Sequence, residues 1–392
     1  MEDLANKDPF LIGKNIVIAL SGGVDSVVLL HFLNRNYAGS VRAVHINHNL
    51  SEFSNNWREF CENLCVIHDI EFKCIDLNII NSSNIEENAR KCRYNSLKSD
   101  ISADEILCTA HHQDDQAETL LLQLFRGSGV AGLASMPKLK KFGESFLYRP
   151  LLNITKQQIN DYASENHLEW VEDDSNKNTQ FKRNLLRLEL IPKLKSSFDG
   201  VIHNISRSAN HQAEALKLMH DLAQIDIEKY RLVDNDKIQV TPLLKLPSRR
   251  IANVLRFYIN HRDFLMPTNK VLAELISVMG AKRDAQVLLK WHCYEVRRFN
   301  DELYFFDTED EDKPLDCPYF KELQVKSNFE VRYRKEGQRV KLKGKKHSSS
   351  LKKILQESSI PPWQRDKLRM YYIDGNLKAM ELIGEMSEVL NK

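Results

Sequence analysis

Asn15-Ile16-Val17-Ile18-Ala19-Leu20 runs directly into Ser21-Gly22-Gly23-Val24-Asp25-Ser26, and the apolar stretch VVLLHFLNR (27–35) follows. A short apolar run stopped by paired glycines reads as a buried strand, and the longer periodic stretch after it as a helix. A strand–glycine turn–helix converges backbone N–H groups and a helix N-terminus on one anion. Ser21 and Ser26 add hydroxyl donors, so Ser21, Gly22, Gly23, Val24, Asp25 and Ser26 together form a candidate phosphate loop. The plainer alternative is a strand-to-helix turn capped by Ser26. Asp25 argues against it, because a carboxylate beside a phosphate nest is unfavourable unless a cation such as Mg²⁺ shares the site. The loop has no lysine, so it is not the GxxxxGK(S/T) loop of enzymes that transfer a γ-phosphate.

Working outward, VRAVHINH (41–48), EFKCIDLN (71–78) and EILCTAHH (105–112) read as further strands. Helical stretches separate them; Trp57, Phe60, Cys61, Leu64 and Cys65 recur on one helical face. This order predicts an α/β fold with a doubly wound, mainly parallel sheet. Ligands of such sheets bind at the carboxyl ends of the strands, where strand order reverses. Those ends are SGGVDS, HINHNLS and HHQDD.

The last end continues as His111-His112-Gln113-Asp114-Asp115-Gln116-Ala117-Glu118-Thr119 and opens a helix. Asp115 and Glu118, three apart, share a helical face. Acidic residues at a helix start also suit the macrodipole with no further role. The two histidines with Asp114 or Asp115 could alternatively be metal ligands.

Together these segments resemble the tRNA(Ile)-lysidine synthetases of the PP-loop N-type ATP pyrophosphatase superfamily. SGGVDS resembles the superfamily's loop, and HHQDDQAET resembles the family's HHxDDQxET. Around them stand His45 and His48, Glu86-Glu87-Asn88-Ala89-Arg90, Arg126-Gly127-Ser128-Gly129 and Arg149-Pro150-Leu151-Leu152. Asp173-Asp174-Ser175-Asn176, Phe181, Arg183-Asn184 and Arg187 follow, similar to DxSNxxxxFxRNxxR. The match runs in order from about residue 14 to 195. Near the C-terminus, RKEGQRVKLKG (334–344), KKILQESSIPPWQRD (352–366) and ELIG (381–384) resemble the family's basic appended domain.

The resemblance implies that ATP and free L-lysine convert the wobble cytidine of a tRNA(Ile) with a CAU anticodon into lysidine, through an adenylated cytidine. It implies ATP held by Ser21–Ser26 and Mg²⁺ held by Asp25. Asp115 and Glu118 would bind lysine and take its proton, and Arg183 would stabilise charge at the α-phosphate. Rival functions are another PP-loop adenylating enzyme, such as a tRNA thiolase or an amidoligase, and a non-catalytic tRNA-binding protein. Cys108 in its apolar strand and Cys92 in a helix read as packed thiols rather than sulfur carriers.

The rest of the chain is read more coarsely. Its 392 residues, 42% hydrophobic and 28% charged, suit two or three globular domains. The division expected is a catalytic domain over 1–200, a helical tRNA-contacting domain over 201–306, an acidic linker over 307–320, and a small α+β basic tRNA-binding domain over 321–392. Residues 331–353 hold ten basic residues against one acidic, a net +9 in a chain totalling +2. Such a run is often plain solvated surface. It also suits tRNA phosphates, with Arg339, Lys341, Lys343 and Lys345 as candidate contacts. Alternation in RVKLK places Val340 and Leu342 on the face opposite those cations. No apolar run approaches a membrane span, and no basic-then-apolar leader opens the chain. Seven scattered cysteines without a CxxC pair fit a reduced, cytoplasmic protein. A homodimer is a candidate assembly.

Overall fold

The computed structural model describes residues 10–49, 53–77, 85–172, 182–280, 287–309, 328–334, 337–342, 347–381 and 384–390. The chain packs as two units, 1–219 and 220–392.

In the first unit six strands form one sheet: β1 (Asn15–Ala19), β2 (Val41–Asn47), β3 (Glu71–Asp76), β4 (Glu105–Cys108), β5 (Leu139–Phe142) and β6 (Ser145–Tyr148). Their order is β3-β2-β1-β4-β6-β5, parallel throughout except for β5, which pairs antiparallel with β6 at one edge. Ile16 and Ile18 enter one core with Val28, Leu29 and Phe32 of α1 (Val24–Asn36), while Val17 enters another with Val44, Leu107 and Leu97. The period-2 alternation of a strand thus feeds helices on both faces, which is why β1 reads as a continuous apolar run. Helix α2 (Ser54–Ile67) turns Cys61 and Cys65 inward, as their spacing predicts. Helices α3 (Ile85–Asp100), α4 (Gln113–Phe125) and α5 (Lys156–Glu165) complete the layers.

What positions the site is strand order. β1 lies between β2 and β4 and pairs with both in parallel, Ile18 facing Ala43 on one side and Cys108 on the other. Sequence order reverses there, so the loops after β1 and β4 open side by side at the carboxyl edge.

Helix α6 (Val201–Tyr230) runs across the boundary between the units. The second unit continues with α7 (Ser248–His261) and α8 (Asn269–Met279). The helical reading of 201–306 holds for α6, α7 and α8, but the chain also forms strands between α6 and α7 and again after Met279. β7 (Val233–Asp234), β8 (Lys237–Gln239), β9 (Leu288–Trp291), β10 (Tyr294–Phe299) and β11 (Glu302–Asp307) form an antiparallel sheet. Val254, Leu255, Leu272, Val296 and Leu303 meet in its core. Asp307, the first residue of the expected linker, closes β11; residues 310–320 of that linker lie outside the described residues.

The C-terminal part forms a second antiparallel arrangement: β12 (Phe329–Tyr333), β13 (Arg339–Leu342), β14 (Ser349–Ser350), β15 (Arg369–Ile373), β16 (Asn376–Met380) and β17 (Gly384–Leu390), with α9 (Leu351–Glu357) packed through Leu351, Ile354 and Leu355. Val340 is fully buried and Arg339 exposed, as the alternation of RVKLK requires. A register shift between Lys341 and Leu342 interrupts that alternation. Lys343 and Lys345 lie outside the described residues. Part of the basic run is neutralised locally, since Arg332 pairs with Glu330 and Arg334 with Asp366.

Candidate active site

The loop after β1 is built around Gly22. Its φ of +86° is costly for any residue with a Cβ, and an added Cβ would lie 2.8 Å from Val171 Cγ2 and 3.2 Å from Cys61 Sγ. Gly22 O accepts the Val171 N–H at 3.0 Å, which fastens the loop from outside. Ser26 Oγ donates to Gly23 O at 2.9 Å and receives the Ser21 N–H at 3.2 Å. Ser26 therefore ties the loop internally, and no side chain caps α1. We expect Gly22→Ala to destabilise the chain by about 2–4 kcal/mol, combining left-handed strain with overpacking. Denaturant unfolding would measure it, and an unchanged midpoint would contradict this account of the loop.

The loop after β4 leads into α4. His112 precedes the helix, and its N–H donates to Asp115 Oδ2 at 3.0 Å, so the acidic residue three places on fixes the helix start. The His112 ring reaches three carboxylates. Its Nε2 lies 3.4 Å from Asp115 Oδ2 and 3.7 Å from Asp25 Oδ2, and its Nδ1 lies 3.9 Å from Asp114 Oδ2. His111 pairs instead with Thr109 Oγ1 through Nδ1, so the two histidines do not converge as a ligand pair.

Asp115 and Glu118 do share a face, and two arginines occupy it. Arg183 donates to Glu118 Oε2 at 2.6 Å and to Asp115 Oδ1 at 2.9 Å. Arg187 donates to Glu118 Oε1 at 2.7 Å and Oε2 at 3.0 Å, and to Asp115 Oδ1 at 3.1 Å. Glu118 is 1% exposed, a burial that an ionised carboxylate tolerates only with such partners. The i, i+4 arginines thus reach into the site rather than lying on a solvated face. Burial works to raise the Asp115 carboxyl, but the charges of His112, Arg183 and His111 outweigh it and hold the group below its ordinary value. Asp114 is likewise held low: burial opposes ionisation, and the Lys156 N–H and Lys195 ammonium more than compensate.

One residue joins the two loops. Lys156 donates from Nζ to Asp25 Oδ1 at 2.5 Å, while its backbone N–H donates to Asp114 Oδ2 at 3.0 Å. A capping box fixes its position: the Gln158 N–H donates to Thr155 Oγ1 and the Thr155 N–H to Gln158 Oε1. The lysine missing from the phosphate loop therefore arrives from 131 residues away. Sequence reasoning did not single out Lys156 or Lys195, and it weighed His112 only as a metal ligand; the Thr155–Gln158 capping signal locates α5 but not what its first residue touches. His45, at the end of β2, is buried and donates from Nδ1 to Leu20 O at 2.9 Å, a structural role. Asp173, Asp174, Ser175, Asn176 and Phe181 lie outside the described residues.

The residue that would hold Mg²⁺ is Asp25. Among the described residues no group of three or more His, Cys, Asp or Glu side chains could hold a metal. Asp25 offers a single carboxylate, and the Lys156 ammonium beside it marks a position that favours a cation. One protein carboxylate completed by phosphate oxygens and water is the pattern Mg²⁺ prefers at nucleotide sites.

The cysteine behind the loop is a packed one. Cys61, behind the loop, is fully buried, and that burial pushes its thiol up to about 12, the state of a packed side chain. Cys108 is buried in β4, whereas Cys92 is exposed, so the packed reading of that residue is corrected.

Known proteins match this architecture along nearly the whole chain. The PP-loop domain family matches residues 3–194, the TilS substrate binding domain 239–304, and the TilS substrate C-terminal domain 329–388. The tRNA(Ile)-lysidine synthase of Coxiella burnetii is 37% identical, with the alignment covering 94% of this chain and 88% of that protein. The chain belongs to the tRNA(Ile)-lysidine synthase family. The tRNA(Ile)-lysidine synthase of Legionella pneumophila strain Paris is 35% identical over 94% of this chain and 90% of its own. Among solved structures, the U34-tRNA thiolase NcsA from Methanococcus maripaludis is similar at a TM-score of 0.44 and 18% identity, covering 55% of this chain and 74% of that one. Among the described residues, no helix is long and apolar enough to cross a membrane.

Proposed function

We propose that this site carries out the family's reaction with a defined division of labour. The enzyme uses ATP and binds tRNA, ligating L-lysine to carbon 2 of the wobble cytidine of a tRNA(Ile) with a CAU anticodon. In the first step the cytosine oxygen on carbon 2 attacks the α-phosphorus, and the bond to pyrophosphate breaks. In the second, the lysine ε-nitrogen attacks carbon 2, the carbon–oxygen bond breaks, and AMP leaves as the amine loses its proton. The observation that carries this reading is the meeting of an anion-binding loop with a buried carboxylate pair where strand order reverses.

Ser21–Ser26 receive the phosphates, with Asp25 holding Mg²⁺. Mg²⁺ so placed supplies charge neutralisation for departing pyrophosphate. Lys156, paired with Asp25 in the structure, would be available to a phosphate oxygen where Asp25 holds Mg²⁺. Asp115 and Glu118 bind the lysine ammonium in place of guanidinium contacts, and Arg183, released by that exchange, neutralises α-phosphate charge. The carboxylates hold the amine rather than deprotonate it. A carboxyl held below its ordinary value, as Asp115 is by its neighbouring cations, binds an ammonium as an anion and is a weak acceptor for its proton. Six described cysteines are unpaired, which supports a reducing cytoplasm. ATP–pyrophosphate exchange that requires the CAU tRNA would support the first step; exchange supported by a small acid without tRNA would point to an amidoligase.

We assign further tRNA contacts to residues 201–306 and 321–392, with Arg339, Lys341, Lys343 and Lys345 meeting phosphates. Neutralising these four together is expected to lower the slope of log affinity against log salt by about 3 units, from ~0.7–0.9 per phosphate contact. A filter-binding salt titration reads this directly, and an unchanged slope would mark the stretch as ordinary surface.

A further inference from the structure

At the far end of α4 the first unit carries a second concavity, of about 470 Å³. Leu122 and Leu186 line it, and Phe125 and Leu185 stand beside them, 63% and 42% exposed. Arg126, Lys182 and Lys193 also line it, with Glu189 as the single acid. Among the described residues none of those three cations has an ion-pair partner. Beside it, a Cβ added at Gly127 or Gly129 would meet nothing within 4 Å, so bare backbone faces outward there.

An exposed aromatic next to three unneutralised cations is a poor protein interface, since lysine is depleted from such surfaces. It is the pairing used for single-stranded nucleic acid, where a base stacks on an aromatic ring and its phosphate meets a cation. Position agrees. Phe125 follows Glu118 by seven residues on α4, a rise of about 10 Å, within reach of a nucleotide adjacent to one held at the carboxylates. Lys182 directly precedes Arg183, so one segment serves both places.

We propose that this concavity receives an unstacked base flanking the wobble position of the anticodon loop, stacked on Phe125, with its phosphates on Arg126, Lys182 and Lys193. The proposal rests on the tRNA-modifying reading above and adds the place where a second base is gripped. Turning out the target base breaks its stacking, and a platform for its neighbour offsets part of that loss.

The test uses the full chain and an anticodon stem-loop RNA carrying 2-aminopurine on either side of the wobble base. Wild type should quench one of the two probes. Phe125→Ala should abolish the quench and weaken RNA affinity about tenfold or more, and Phe125→Tyr should restore both. If Phe125→Ala does not fold by circular dichroism, Lys182→Gln with Lys193→Gln is read instead, with a salt slope lower by about 1.4 units. Wild-type quench and affinity in the variants would overturn the proposal. So would a change of oligomeric state by light scattering with RNA binding intact, which would make the face a contact between copies. Lysidine formation by wild type is scored in parallel. Its absence with Phe125-dependent binding would remove the reaction and keep the pocket; its presence with Phe125-independent binding would do the reverse.

Discussion

Asp25→Asn is expected to slow pyrophosphate release on the order of a thousandfold, with tRNA affinity little changed. The loop's N–H groups remain in the variant, but the only carboxylate in it is gone, and with it the cation that neutralises the leaving group. The Lys156 ammonium sits 2.5 Å from Asp25, so the substitution also loosens that lysine. A loosened lysine can strengthen ATP binding while the chemical step fails. A rate close to wild type in a single-turnover assay of AMP transfer would remove Asp25 from the mechanism.

Glu118→Gln should raise the lysine concentration needed for half-maximal rate by about 10–150-fold, the loss of one charge-assisted contact of about 1.5–3 kcal/mol. The ATP requirement should move far less. Gln can still accept from one arginine, so the site keeps its shape, but one negative charge no longer faces an incoming ammonium. Adenylated tRNA should still form and accumulate. If it does not, Glu118 acts in the first step, through its hold on Arg183 and Arg187.

Both residues were legible in the sequence because local signals bracket them. Paired glycines after an apolar run announce the loop, and the spacing of Asp115 and Glu118 announces a shared helical face. Their adjacency in space follows from β-α-β order, which places reversing strands side by side. The arginines were legible as a motif, but their direction was not. Whether an i, i+4 pair faces solvent or a carboxylate 65 residues earlier depends on packing of Leu186 and Ile191 against Ala117 and Leu121. Lys156 was hidden for the same reason. The strands beyond Met279 had a local signal that helical patterns overshadowed: Asn300-Asp301 separates YEVRRF from ELYFFD, and Asn300 adopts a φ of +53°. That is a two-residue hairpin between alternating apolar runs.

The central claim is that this site adenylates a wobble cytidine and replaces the adenylate with lysine. Mass spectrometry of the anticodon fragment of tRNA(Ile) with a CAU anticodon, after incubation with the enzyme, ATP, Mg²⁺ and isotopically labelled L-lysine, tests it most directly. Lysidine at the wobble position, carrying the label and appearing only with ATP, is the predicted result. An unmodified cytidine, or a wobble base altered without the label, would contradict it.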